Sequence, residues 1–225
     1  MAAVDSPRAV VFDLDGTLLD SLPLVLEAIT HALAPFGTLP SMEIFAKLGG
    51  PPKRFMLDLV QHPRDLPVAL ARMETYHHAH SHLIQPFAGA VELLGALGGA
   101  GIKRAVWTGR DRRSTERLLA SVGLQDSFST ILCGDDLDTH KPDPAGLLEI
   151  MRRLGVTTAQ TLLVGDADVD VLGGTAAGVE TILIQHGRSI EERIAAQAWR
   201  LVPSPAVAYA AVIEHVSSRP VSSSE

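Results

Sequence analysis

The stretch AVVFDLDGTLLDS, residues 9–21, opens as an apolar run of strand length and ends in two carboxylates, Asp13 and Asp15, with Gly16 and Thr17 directly behind. A short continuous apolar segment bounded by turn residues reads as a strand buried on both faces, the kind found in parallel sheets. Side chains two apart on a strand point the same way, so Asp13 and Asp15 can face one point just beyond the strand's carboxyl end. That edge is where open parallel sheets bind ligands. Two like charges held so close repel strongly at low dielectric, and keeping both ionised calls for a cation or a proton. A solvated Asp-Gly turn whose acids cap backbone amides is the competing account of this stretch taken alone.

Further strand-like runs follow at RAVVF (8–12, the same strand), IKRAVW (102–107), STILC (129–133), TLLVG (161–165) and ETILI (180–184). From the second onward they alternate with helical stretches, DRRSTERLLASVG (111–123), DPAGLLEIMRRLG (143–155) and DVDVLGGTAAG (168–178), each closing on glycine. In the second of these, Asp143 is expected as N-cap and Pro144 as the first helical residue. This alternation predicts an α/β fold, a parallel sheet with helices on both faces. Almost ninety residues separate the first strand from the second, far more than one crossover needs, and most of them read as helix. SLPLVLEAITHALAPFG (21–37) sets Leu22, Val25, Leu26, Ile29 and Leu33 on one face, and SMEIFAKLGG (41–50), PPKRFMLDLVQ (51–61) and DLPVALARMETYHHAHSHL (65–83) show similar patterns. The expected organisation is a core from 1–20 and 85–216, a helical insertion over 21–84 with hinges near Ser21 and Gln85, and a disordered tail over 217–225.

Composition narrows the function. With 225 residues the chain can bury a sizeable core. No apolar run approaches a membrane span, and the amino terminus MAAVDSPRAV lacks the regions of a signal peptide, so a cytoplasmic protein is expected. A net charge of −7 and the lack of a basic run with interleaved aromatics argue against nucleic acid as a partner. Cys133, the single cysteine, excludes an intramolecular disulfide and reads as a small buried hydrophobe. His78 and His82, one helical turn apart, read as part of a solvent-facing helix, since no third metal ligand of suitable spacing is near.

The other strand ends decide what Asp13 and Asp15 are for. Thr108 ends the second strand, Lys141 lies in the loop after the third, and Asp166 and Asp170 follow the fourth. In a parallel sheet these ends open on one edge, so carboxylates, a hydroxyl beside a backbone amide and an ammonium would converge. That is the inventory for handling a phosphate with a divalent metal. Asp168 is out of step with this set and reads as solvated or helix-capping, and Thr17 and Ser21 as making local turn hydrogen bonds.

Four ordered motifs carry the set: DLDGT (13–17), VWTG (106–109), HKPDP (140–144) and GDADVD (165–170). Through them, and over nearly its whole length, the chain resembles the haloacid dehalogenase superfamily of phosphohydrolases. The helical insertion resembles the cap of that family's phosphoglycolate phosphatase-like branch. The resemblance implies a Rossmann-like core with an α-helical cap domain, and a Mg²⁺-dependent phosphatase acting on a small phosphate ester. It implies Asp13 as nucleophile, Asp15 as general acid and base, and Thr108, the Gly109 amide and Lys141 as the groups holding the phosphoryl oxygens. The metal would be held by Asp13, Asp166 and the backbone carbonyl of Asp15, with Asp170 supporting its water shell or orienting Lys141. Gly109 replaces the asparagine that often follows this threonine, and GRDRR (109–113) adds charge, which leaves the substrate open. In the insertion, KLGGPPKRF (47–55) has the glycines of a substrate-contacting loop, with Gly50, Lys53 and Arg54 as candidate specificity residues; a proline-started helix with two exposed bases fits the same residues. A phosphomutase of the β-phosphoglucomutase type and a non-catalytic binding protein on the same fold are the alternatives. Monomer and homodimer are both compatible with the sequence.

Overall fold

The computed structural model describes residues 8–36 and 52–217. Six strands form one sheet, β1 (Ala9–Phe12), β2 (Lys103–Trp107), β3 (Thr130–Leu132), β4 (Thr161–Gly165), β5 (Glu180–Ile184) and β6 (Arg200–Val202), in the order β3-β2-β1-β4-β5-β6. Every pairing is parallel, with Phe12 opposite Val106 on one side and Val164 on the other. The first strand is therefore central, and the chain reverses its direction of growth across β1 and β4, the switch point where such sheets bind ligands.

Along β1, Val10 and Phe12 enter one apolar cluster and Ala9 and Val11 the other, the period-two alternation of a strand covered on both faces. Helices α4 (Ala90–Gly99), α5 (Arg112–Ser121) and α9 (Pro205–Ser217) cover the first face through Leu93, Leu97, Leu118, Leu119, Tyr209 and Val212. The second face lies under α6 (Ala145–Leu154) and α7 (Asp168–Ala177), through Leu147, Ile150, Leu154 and Ala177. A short helix, α8 (Glu192–Ala195), packs Ile194 against Val171 and Leu183. Helices α1 (Leu22–Leu33), α2 (Pro52–Leu59) and α3 (Leu66–His80) bury a separate core of Ala28, Ile29, Ala32, Leu33, Met56, Val60, Ala69 and Met73. The two chain crossings between this layer and the sheet are bonded to each other, Asp20 N–H to the Gln85 carbonyl at 2.9 Å. No helix among the described residues is long and apolar enough to cross a membrane.

The expected strands are present, trimmed by a residue at some ends, and β6 joins them unforeseen. It has only three residues, begins with Arg200 and carries no apolar run that would announce it. In α6 the first helical residue is Ala145 and Pro144 precedes it, because the Pro144 carbonyl already accepts the Leu148 N–H. The N-cap is thus Pro144 rather than Asp143, which lies one residue earlier and accepts the Ala145 N–H at 2.9 Å. The buried stripe of α1 is Leu24, Ala28, Ile29, Ala32 and Leu33. It is rotated from the expected one because Leu22 and Val25 face a cavity instead. Residues 41–50, where a helix is expected, and 218–225 of the expected tail 217–225 lie outside the described residues, while Ser217, expected to begin the tail, ends α9.

Trp107 links this scaffold to the site. A Cβ on Gly146 would come within 2.4 Å of its indole nitrogen and one on Gly173 within 2.7 Å of its ring, so α6 and α7 approach the indole through glycines. Gly146→Ala should therefore cost about 1–3 kcal/mol through overpacking. Gly95→Ala, in α4 with nothing within 4 Å of the added carbon, should gain about 0.5–1 kcal/mol from helix propensity. Urea unfolding midpoints of the two variants, displaced in opposite directions, are the check.

Candidate active site

β1 delivers Asp13 still in ladder register, its N–H bonded to the Val164 carbonyl at 2.8 Å. The chain then turns at once: Gly16 takes φ +73°, and its N–H bonds back to the Leu19 carbonyl. A side chain at Gly16 would strike the Asp166 carboxylate at 2.5 Å, so only glycine permits both the turn and that neighbour. Asp166 follows β4, the strand paired with β1. Thr17 Oγ1 donates to Asp166 Oδ1 at 3.3 Å, a long-range contact rather than the local one expected of Thr17.

Lys141 binds this acidic group together. Its Nζ donates to Asp13 Oδ1 at 2.8 Å and to Asp170 Oδ1 at 2.6 Å, and sits 4.8 Å from the centroid of the Trp107 ring. Asp170 accepts the Ala167 N–H on its other oxygen, which fixes it at the start of α7. Asp13, Asp166 and Asp170 each offer an oxygen within 4.8 Å of the others, and all three are buried. Burial, together with the charges of Asp170 and Asp15, pushes the Asp13 carboxyl up to about 7 in spite of Lys141. Burial and the charges of Asp13, Asp170 and Asp15 push Asp166 up as well. Burial opposes the Lys141 charge, but Asp13 and Asp170 outweigh it and hold the ammonium protonated. Three clustered carboxylates thus share one ammonium. An all-oxygen set with surplus negative charge suits a hard divalent cation.

Asp15 shares the cavity but not this cluster. Arg110 grips it with both arms, Nε to Oδ2 and Nη2 to Oδ1, each at 2.6 Å, and Ser21 Oγ donates to Oδ1. Burial works against ionisation here, yet the Arg110 charge and these hydrogen bonds hold the Asp15 carboxyl below its ordinary value. The remaining arm, Nη1, lies 3.1 Å from His77 Nε2 and 3.3 Å from Ser114 Oγ. Burial, and then the Arg110 charge, press His77 down to about 4, which leaves its Nε2 free to accept. The helical layer thus reaches the sheet edge through α3.

Asp13, Asp15, Thr108, Gly109, Lys141, Asp166 and Asp170 all line one cavity of about 1040 Å³. Lys53 lines it too, whereas Arg54 is exposed and is not among the lining residues. Gly50 lies outside the described residues. Asp168 is ion-paired rather than solvated: Arg188 Nη1 meets it at 2.7 Å while Nη2 holds the Asp166 carbonyl at 2.5 Å. His186 donates from Nε2 to the Gly16 carbonyl at 2.5 Å, bracing the turn from the loop after β5. Both residues could have been found by extending the strand-end argument to the fifth strand. Cys133 is buried, as expected, and burial pushes its thiol up to about 11. The histidines of α3 are less idle than expected: His77 meets Arg110, and His80 stacks on Tyr76.

The family model for haloacid dehalogenase-like hydrolases matches residues 10–184. The chain belongs to that family. Its relatives include phosphoglycolate phosphatase 1 of Pseudomonas aeruginosa, 35% identical over 87% of this chain and 76% of that protein. Pyrophosphatase PpaX of Halalkalibacterium halodurans is 31% identical over 80% of this chain and 84% of its own length. A hydrolase structure from Pseudomonas syringae shares the fold with a TM-score of 0.79, at 23% identity, over 92% of this chain and 98% of that one.

The charge surplus predicts a linked response to pH and metal. The Asp13 carboxyl is raised from 3.8 to about 7, so the folded state binds its proton more tightly than the unfolded chain does. Without a divalent cation, its contribution to stability is therefore lost as pH rises through that window. Thermal melts should show Mg²⁺ raising Tm more at pH 8 than at pH 5. Equal gains at the two pH values would contradict the arrangement.

Proposed function

We propose that the protein is a Mg²⁺-dependent phosphatase of small phosphomonoesters, phosphoglycolate-like in its substrate, working through an aspartyl-phosphate on Asp13. The observation that carries this reading is Lys141 held between Asp13 and Asp170, beside Asp166, on the cavity that Thr108 and Gly109 also line. We take residues 1–20 and 85–216 as the catalytic core, 21–84 as a cap over its edge, and the cytoplasm as the place of work.

Asp13 attacks phosphorus with one carboxylate oxygen, the bond to the ester oxygen breaks, and Asp15, once it has taken up a proton from solvent, gives that proton to the ester oxygen. Asp15 then takes a proton from the water that attacks the aspartyl-phosphate, which releases inorganic phosphate and restores both acids. Thr108 Oγ1, the Gly109 N–H and Lys141 Nζ hold the phosphoryl oxygens while charge shifts among them. Asp170 keeps Lys141 turned toward Asp13. Its own oxygens are committed to Lys141 and the Ala167 N–H, so Asp13, Asp166 and the Asp15 backbone carbonyl are the residues that would hold Mg²⁺. When bound, the ion supplies positive charge that offsets repulsion between the Asp13 carboxylate and a phosphate dianion.

The relative named as a pyrophosphatase makes inorganic pyrophosphate a second substrate to test. Phosphate release from 2-phosphoglycolate, pyrophosphate and glucose 1-phosphate, with Mg²⁺ and with chelator, separates these readings. Release from 2-phosphoglycolate should need the metal, and Asp13→Asn should lower kcat by about a thousandfold or more. Conversion of glucose 1-phosphate to a phosphorylated isomer would mark a mutase. Full metal-dependent turnover by Asp13→Asn would remove Asp13 from its role.

A further inference from the structure

Arg110 holds the side chain that the phosphatase reading asks to move a proton. Both Asp15 oxygens are occupied: Oδ2 by Arg110 Nε, Oδ1 by Arg110 Nη2 and by Ser21. A carboxyl so gripped swings toward an ester oxygen only by giving up part of this hold. The guanidinium cannot simply be abandoned, because its side chain is only 11% exposed and a buried cation without an acceptor is strongly disfavoured. It lets go of Asp15 only when another anion of matching shape takes its place.

The chain's own geometry says where that anion would lie. The Arg110 backbone N–H bonds to Thr108 Oγ1 at 3.2 Å, which fixes this residue one step past the Thr108–Gly109 pair. Its guanidinium lies against Asp15 on the wall of the same cavity, and the phosphatase reading puts the leaving oxygen next to Asp15. In a 2-phospho-hydroxyacid one carbon separates that oxygen from a carboxylate, and a carboxylate accepts a guanidinium fork with two parallel hydrogen bonds as Asp15 does. The Nη1 arm, resting on Ser114 Oγ and His77 Nε2, stays anchored while the fork turns.

We propose that Arg110 is the specificity-determining residue, passing from Asp15 to the carboxylate of a 2-phospho-hydroxyacid and so freeing Asp15 only for esters with that group. The assignment rests on the phosphatase reading above and deepens it, moving recognition of the acid from the exposed Lys53 to the largely buried side chain of Arg110. Esters without a carboxylate leave Arg110 on Asp15 and are turned over slowly even when bound. This is selection by kcat rather than by KM alone.

Ethyl phosphate is 2-phosphoglycolate with methyl in place of the carboxylate, and steady-state kinetics on the pair test the proposal. Wild-type kcat should be about tenfold or more higher for 2-phosphoglycolate, an outcome read without any variant. Arg110→Gln should raise KM for 2-phosphoglycolate by about tenfold to a hundredfold, the loss of one charge-assisted bidentate pair. The same variant should increase kcat for ethyl phosphate, since Asp15 is no longer held, and Arg110→Lys should recover part of the preference. A residue that merely supports Asp15 would lower both substrates alike in Arg110→Gln, and that result overturns the proposal. Equal wild-type kcat for the two esters overturns it as well, while leaving the phosphatase reading intact. A wild-type enzyme that releases phosphate from neither ester overturns both.

Discussion

A single ammonium, Lys141, stands among three buried carboxylates, and the rest of the site follows from that imbalance. Asp13 and Asp170 each bond to it directly, while Asp166 lies within the same cluster. One positive charge does not neutralise three negative ones at low dielectric, so the arrangement is a charge sink waiting for a divalent cation or a proton. A cluster of this kind opposes folding, and the sheet beneath it supplies the apolar burial that offsets the cost. The central strand is fully buried along its length and ends where the first acid begins.

The sheet also explains why groups so distant in sequence meet. Since all six strands run parallel, Asp13, Thr108, Lys141 and Asp166 leave their strands at one edge. Close tolerances then fix them. Gly16 yields space to the Asp166 carboxylate, and Gly146 and Gly173 let two helices close on Trp107, whose ring lies beneath Lys141. The second electrostatic unit, Asp15 with Arg110 and Ser21, is balanced within itself and tied to α3 through His77. The helical layer and the sheet edge are therefore coupled through Asp15, the acid proposed to carry the proton.

Much of this was legible in the chain. The strand ends could be read because a short apolar run followed by polar residues marks both the strand and its functional edge, and four of them pointed at the same pocket. Lys141 is placed by the loop after β3, and Asp170 by the first turn of α7 after β4. The illegible parts are those decided by side-chain direction across long separations. Arg110 registered only as extra charge in GRDRR, since nothing local says that it turns back ninety-five residues to Asp15. His77 carries no such signal, because the spacing of His78 and His82 suggests a metal pair whereas one contact to a cation needs no spacing at all. The face of α1 is hidden for a related reason: Leu22 and Val25 are apolar, and apolarity does not distinguish a helix core from a cavity wall. β6 escaped notice because a three-residue edge strand needs little apolar character.

The proposal stands on Asp13 and Asp166 forming one cation site at the rim of the sheet, with Asp170 holding Lys141 beside them. Diffraction from a crystal of the protein soaked in Mn²⁺, a stand-in for Mg²⁺ that prefers the same oxygen ligands, tests it most directly through anomalous scattering. The account predicts one strong peak between the carboxylates of Asp13 and Asp166. A map with no peak there at saturating metal would contradict it.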